Sequence, residues 1–456
     1  MALALIRWLF EHDAADREFL AAHCTGAEAL RERAAPWSPA RAAAEAGIDA
    51  GDIERLARWY AETSPAVIRC GWGLERNRNG GSAAAAVLAL PAVAGKFGIR
   101  GGGYTLTNSP VWGLSSEPGA AEPVPDTRLV NMNRVGRVLD PAAESPVRFL
   151  FVYNNNGLMT LPEQERVRRG LLRGDLFTVV FDSFLTDTAR YADVVLPAAT
   201  FLERRELARG YGAYAMQRGV PVIPPVGESR TNHEVFADLC ARLDLDRPGD
   251  PRTEEEVETA VLGAHPEGAR YTRELDEAGI ALPASGVAPV QFGDIFPGTP
   301  DGKVHLVPGA LDAEAPLGLY GYRGDPATAG YPLALISPAS AKMVTSTLGQ
   351  LYPDPWPMEL HPDDAAPRGI VDGDTVRVFN DLGEVVCRVR VTGALRPGVA
   401  SLAKGIWSHH TFNGRTANAL CPDTLTDLAG GACFNDARVQ VERHPDPPVP
   451  GNGAAR

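Results

Sequence analysis

No two cysteines in this chain are spaced Cys-x-x-Cys. The six stand at 24, 70, 240, 387, 421 and 433, which excludes a zinc ribbon or an iron–sulfur loop written on these residues. Cys421 and Cys433, the closest pair, have eleven residues between them, and buried thiols are preferred to a disulfide there. The nine histidines show no metal-binding spacing, no serine sits in a Gly-x-Ser-x-Gly elbow, and neither a Walker loop nor a full dinucleotide fingerprint is present. Long hydrophobic runs are also missing. The most apolar window, 83–94, holds Pro91 and falls far short of the roughly 20 residues that span a bilayer. The apolar start, Met1 to Phe10, carries Arg7 with no basic leader before it, so it does not read as a signal peptide. Basic residues are in the minority, 44 against 57 acidic, for a net charge of −13. Nucleic acid and direct membrane insertion are therefore not expected, while a local basic pocket for a small phosphate ligand stays allowed. The chain reads as cytoplasmic.

What is present is a core-bearing, loop-rich chain of 456 residues, 45% hydrophobic, with 47 glycines and 38 prolines. A helix capped by Asp49 leads to a strand over 66–68, a Gly71-Trp72-Gly73 turn, an alanine-rich helix over 82–96 and a Gly101-Gly102-Gly103 turn. A clearer βαβ pattern follows. Near-continuous apolar runs at 147–153 and 176–181 predict strands of a parallel sheet buried on both faces, with a helix over 163–172 between them. A short helix at 186–191 precedes a third strand, 194–196. Residues 243–330 read as an extended connection with embedded short elements, among them one helix opened by Thr253 and Glu256 as a capping box. From 331 the pattern alternates, with Asn380–Gly383 as a hairpin turn, and predicts a small β-barrel.

The strand ends hold the candidate chemistry. Asp182 can accept two hydrogen bonds from a ribose diol or a guanine edge, or cap the following helix. Asn155 and Asn156 can meet a base edge or simply turn the chain. Arg204 and Arg205 can pair a pyrophosphate, or, with Glu203 and Glu206, form a solvated charge cluster. No nucleophile–base constellation stands out, so catalysis would need a bound cofactor or residues outside this chain.

The stretch 176–203, LFTVVFDSFLTDTARYADVVLPAATFLE, resembles the segment that marks bis-pyranopterin molybdenum enzymes of the dimethyl sulfoxide reductase family, through Asp182, Thr186-Asp187-Thr188-Ala189, Tyr191-Ala192-Asp193, Leu196-Pro197 and Glu203. Pro224 to Asn232, Pro300 to Val304, and Cys70 to Arg76 with Asn79-Gly80 fit the same pattern. So do His361-Pro362, Asp372-Gly373-Asp374, Pro397-Gly398-Val399 and Asn418-x-Leu420-x-x-Asp423 in the carboxy-terminal region. The resemblance implies an α/β fold with parallel-sheet nucleotide-binding lobes followed by a double-psi-type β-barrel. It divides the chain into 1–115 as the remnant of a first lobe, 116–330 as a second lobe with an extended connection, and 331–456 as the dinucleotide-binding barrel.

The cofactor so implied is molybdopterin guanine dinucleotide with molybdenum or tungsten. Trp72 and Arg76 would line its cleft, Asn155 or Asn156 with Asp182, Ser183 and Thr188 would hold the guanosine, and Arg204 would lie near the phosphates. Ser337 to Ser346 would wrap the pterin or pyrophosphate, with Asn418 and Asn435 hydrogen-bonding it. No catalytic residue and no metal ligand are assigned in this chain, because Met1 to Leu20 resembles the middle of a member. An iron–sulfur cluster is expected only with a supplied amino-terminal half, and that half or an electron-transfer subunit is the expected partner. The function implied is the cofactor-binding part of a molybdenum or tungsten oxidoreductase, inactive without the missing half. The alternatives are a non-catalytic subunit related to the complex I large subunit, or an orphan gene fragment.

Overall fold

The computed structural model describes residues 1–107, 109–114, 127–210 and 212–445. They fall into two units. The first comprises Met1–Leu74, Gly81–Asp126 and Ala199–Tyr322, the second Glu75–Gly80, Thr127–Ala198 and Arg323–Arg456. This partition differs from boundaries at 115 and 330, because 199–322 joins the first unit and 75–80 the second.

In the first unit, Asp49 accepts from the Gly51 N–H at 2.7 Å and caps the helix Ala50–Glu62, as its position predicts. The strand Val67–Arg69 pairs in parallel with Gly103–Thr105, its only neighbour among the described residues. Residues 243–330 are not a mere connection. Helices Glu254–Gly263 and Gly268–Ala278 and the strand Ile280–Ala281 bring Leu262, Tyr271, Leu275 and Ala281 onto Trp112 and Met216 in one buried cluster. Tyr271 and Leu275 stand four residues apart before Gly279 in the left-handed region, a readable helix-and-stop signal. Thr253 caps its helix, but Glu256 returns to the Arg252 N–H; the complete capping box is Thr231 with Glu234. None of the six cysteines is in a disulfide. Among the described residues no helix is long and apolar enough to cross a membrane.

In the second unit, Phe149–Tyr153, Phe177–Asp182 and Val194–Pro197 form a three-stranded parallel sheet in that order. Burial on both faces holds only for the central strand over 178–181; Phe149, Tyr153, Val194 and Val195 are exposed, because they lie on strands with one neighbour each. The expected helix at 186–191 is a single 3₁₀ turn, Ala189–Tyr191. Beyond it lies a closed six-stranded barrel, in the order Leu333–Ile336, Val399–Ser401, Met358–Leu360, Gly383–Val391, Thr375–Asn380, Arg438–Arg443. Asn380 pairs with Gly383, so the predicted hairpin closes through a two-residue loop. Leu335, Val376, Val378, Val385, Val439 and Val441 fill the barrel core.

Sheet layer and barrel are clamped by polar contacts. Arg137 grips Asp423 through two nitrogens, and Arg166 reaches both Glu163 at 2.6 Å and Asp423 at 3.4 Å. Glu165 pairs with Arg415, and the Gln164 side-chain Oε1 accepts from the Thr416 N–H at 2.9 Å. Asp187 accepts from both the hydroxyl and the backbone N–H of Ser408. The Arg137 hydrogen bond holds Asp423 below its ordinary 3.8, whereas burial, then the neighbouring Asp423, push Glu163 up.

Asp423→Ala removes the carboxylate that Arg137 grips and leaves Arg166 with Glu163 alone. Because Arg137 is half exposed, the expected loss of unfolding free energy is about 1–2 kcal/mol rather than the full cost of breaking a buried pair. A carboxylate with a depressed folded value contributes above 3.8 and loses that contribution as pH falls through the folded value. Urea denaturation of wild type and variant should therefore differ at neutral pH and converge in acid; coincident midpoints at neutral pH contradict the clamp.

Candidate functional site

A cavity of about 480 Å³ opens within the second unit. One wall is the carboxyl end of the strand Phe149–Tyr153, where Asn154, in the left-handed region at φ 49°, turns the chain so that Asn155 and Asn156 line the cavity. A second wall is Glu75 and Arg76. Their segment is tied down by an Arg78–Asp436 ion pair at 2.7 Å and by the Asn435 N–H donating to the Arg76 carbonyl at 2.9 Å. The barrel supplies Ser337, Thr345 to Thr347, Lys404, Gly405, Asn418 and Phe434.

In this lining Asn156 Nδ2 and Ser337 Oγ are buried without a hydrogen-bond partner among the described residues. A buried unpaired donor costs about 1–3 kcal/mol, a cost that a hydrogen-bonding ligand would offset. Charge points the same way. The Arg76 guanidinium lies 5.4 Å from the Phe434 ring centroid, and Lys404 has no ion-pair partner within 4.0 Å among the described residues. Burial, and second the nearby Arg76, lower the Lys404 amine from its ordinary 10.5, against an opposing pull from Glu75. Arg76 and Lys404 thus bring two cations to one cavity, with the Glu75 carboxylate 3.9 Å from the Arg76 guanidinium.

Six of the expected residues meet here: Arg76, Asn155, Asn156, Ser337, Ser346 and Asn418. Thr188 stands behind Asn156, bonded to its side chain, and is not itself in the lining. Asp182 ends the neighbouring strand and accepts from the Phe184 N–H at 3.1 Å; desolvation pushes its carboxyl up, against backbone hydrogen bonds from Phe184, Ser183 and Asn155. It therefore organises the turn in which Ser183 sits, and neither residue lines the cavity. Asn435 contributes its backbone N–H. Trp72 and Arg204 belong to the first unit, where Arg204 pairs with Glu206 at 2.8 Å and Glu203 accepts from the Thr200 and Val226 N–H groups at 2.6 Å. Lys404 escaped the sequence reading. Its signal is a lone lysine between Ala403 and Gly405 just after a barrel strand.

Residues 12–242 match the molybdopterin oxidoreductase family, and residues 338–438 the molydopterin dinucleotide binding domain. The chain belongs to the molybdopterin oxidoreductase family. Among relatives, it is 34% identical over 460 residues to "Probable oxidoreductase YoaE" of Bacillus subtilis, covering 97% of this chain and 66% of the relative. It is 28% identical to dimethyl sulfoxide reductase DmsA of Haemophilus influenzae, covering 89% and 57%. Its fold matches acetylene hydratase from Pelobacter acetylenicus with a TM-score of 0.79 at 21% identity, covering 97% of this chain and 70% of that one. The chain spans 66%, 52% and 67% of the lengths of the first three curated relatives. The family's cofactor, a molybdopterin dinucleotide, fits a cavity that pairs two cations with buried amide and hydroxyl groups.

Gly405 holds this wall in shape. It has φ +76°, and a Cβ there would lie 1.8 Å from the Thr345 carbonyl oxygen. Gly405→Ala must displace the 345–347 loop or the Lys404 backbone, and is expected to cost about 2–3 kcal/mol of stability. Thermal denaturation checks it; an unchanged midpoint means the loop gives way freely.

Proposed function

We propose that this chain is the molybdopterin guanine dinucleotide-binding part of a molybdenum or tungsten oxidoreductase acting on a small oxidised or reducible substrate, and that the cavity of the second unit receives the cofactor. The reading rests above all on one observation, the two unpartnered buried polar atoms in the same lining as Arg76 and Lys404. Arg76 and Lys404 would take the diphosphate, Asn155 and Asn156 the nucleoside, and Ser337, Ser346 and Asn418 the remaining polar edge. When bound, the cofactor supplies the metal-centred redox chemistry.

The protein's own part is to bind, orient and exclude water. Arg76 offers a planar fork suited to phosphate oxygens, whereas Lys404 is a point charge whose proton affinity an arriving anion would raise. The names of DmsA and of the trimethylamine-N-oxide reductases similar to this chain support an S- or N-oxide reductase reading over a purely structural subunit. Those relatives are longer than this chain. That additional length is where the reading seeks the metal ligand and the electron route, on a preceding segment or a partner subunit. Six cysteines without a disulfide suit the cytoplasm.

The test is calorimetric titration of the 456-residue chain with GDP in buffers of differing ionisation enthalpy. Because the Lys404 amine lies below 10.5 in the folded chain, an arriving diphosphate should raise it, and binding should take up protons as pH climbs toward that value. Lys404→Gln should abolish the uptake and weaken GDP binding by about tenfold. Absence of GDP binding by the wild-type chain overturns the reading.

A further inference from the structure

His410 is fully buried and does not line the cavity, yet all of its polar atoms are in use. Its Nδ1 accepts from the Trp407 backbone N–H at 2.7 Å, and its Nε2 lies 2.7 Å from the Tyr352 carbonyl oxygen. A backbone N–H can only donate and a carbonyl can only accept, so the ring is neutral, with Nδ1 bare and the proton on Nε2. The His410 N–H donates to the Trp407 carbonyl at 3.0 Å, and its carbonyl accepts from the Trp356 N–H at 2.8 Å. One residue thus ties 352–356 to the turn 407–410. That turn holds a wall of the cavity. The Trp407 indole Nε1 donates to the Ser346 carbonyl at 2.7 Å, and a Cβ on Gly349 would strike the Trp407 ring. Thr345, Ser346 and Thr347 are the lining residues of that loop. Ser408, in the same turn, donates to Asp187 and so joins the clamp between sheet layer and barrel.

We propose that His410 is a positioning residue whose neutral ring latches the Ser346 wall of the cavity, so that this wall opens more readily in acid. An imidazolium carries hydrogen on both nitrogens. Its Nδ1–H would face the Trp407 N–H, donor against donor, so the proton is taken up only where the turn has opened and Trp407 has let go of Ser346. The charged and titratable groups facing the ring come from three elements. His409, on the same turn, has its ring centroid 4.0 Å away; Asp187 approaches from the sheet layer through Ser408; and the Lys342 ammonium lies 5.1 and 5.9 Å from the ring centroids of Tyr352 and Trp356. His409 and Lys342 oppose a further positive charge, and Asp187 favours it. Burial first, and His409 second, lower the His410 imidazole from its ordinary 6.5, against the backbone bonds of Tyr352 and Trp407 and the pull of Asp187. The latch is therefore complete above 6.5 and weakens as pH falls below it, because the open turn binds the proton first; the open-to-closed ratio rises by up to about tenfold per pH unit. His409 Nε2 lies 3.1 Å from the same Tyr352 carbonyl and keeps that donor when protonated, so its titration needs no opening. The latch holds whatever the cavity binds, and only its effect on a nucleotide rests on the proposed function.

Hydrogen exchange read by mass spectrometry on the 456-residue chain, at about pH 7.5 and about pH 5.5 with intrinsic rates divided out, reports the opening of 343–351 without any ligand. In wild type, protection there should fall severalfold, up to about tenfold, at the lower pH, while the barrel strand 383–391 changes little. His410→Asn, whose amide oxygen can still accept from the Trp407 N–H but takes no proton, should remove the pH dependence; His409→Gln should keep it. Equal pH dependence in wild type and His410→Asn overturns the proposal, as does its loss in His409→Gln or an equal fall across 343–351 and 383–391. If His410→Asn fails to fold, Trp407→Phe decides. It keeps an aromatic ring and the backbone N–H but severs the turn from Ser346, so protection of 343–351 should be low at both pH values, and wild-type behaviour overturns the latch. A second arm measures GDP affinity, comparing wild type with His410→Asn at one pH so that phosphate ionisation cancels. The two should match at about pH 7.5 and wild type should bind severalfold more weakly at about pH 5.5; equal affinities at the lower pH overturn the latch's service to the site. Exchange that follows the expectation while neither chain binds GDP supports the latch and refutes the nucleotide reading alone.

Discussion

The cavity exists because the carboxyl edge of a three-stranded parallel sheet is held against a closed barrel, and what holds it is a set of charged and amide contacts rather than a continuous apolar seam. Arg137 with Asp423, Glu165 with Arg415, Gln164 with Thr416 and Asp187 with Ser408 each join a residue of the sheet layer to a barrel loop. Such contacts are directional, so they set relative placement more sharply than apolar packing does. Open α/β sheets carry ligands at the carboxyl ends of their strands. Here the barrel is clamped over that end, and the space left between them is lined from both sides.

The same constraint explains why polar groups are left unsatisfied where they are. Asn156 and Ser337 are buried by the docking of layer and barrel, yet each keeps an atom without a partner. Arg76 is held near Lys404 although it lowers the proton affinity of the Lys404 amine. An anionic, hydrogen-bonding cofactor of the kind proposed would offset these costs together.

Much of this was legible in the residues. The strand ends, the barrel hairpin at Asn380–Gly383 and six cavity residues follow from apolar runs, turn residues and a family resemblance. What was not legible depends on contacts far apart in the chain. Arg76 lies in the cavity because Arg78 pairs with Asp436, 358 residues away, and no local pattern announces that. Residues 243–330 looked like linker because proline and glycine dominate the text, although Tyr271 and Leu275 carried the signal of a buried helix face. Thr188 was expected to touch the ligand; in the fold its hydroxyl lies between Leu158 and Asn156, and only a three-dimensional hydrogen-bond circuit could reveal that.

Charge adds a last step. The chain carries a net −13, so an anionic ligand approaches against the mean field of the protein, and long-range attraction does not deliver it. Recognition must then come from short-range groups in a partly desolvated space, where a paired cation and anion interact far more strongly than at the surface. That is the setting in which a lysine with a lowered proton affinity has the most effect, because it responds only once the ligand has displaced water. By linkage, a ligand held by groups that the folded state strains to keep stabilises the clamp that positions them. On the proposed reading, cofactor binding and the docking of sheet on barrel would thus be two expressions of one equilibrium.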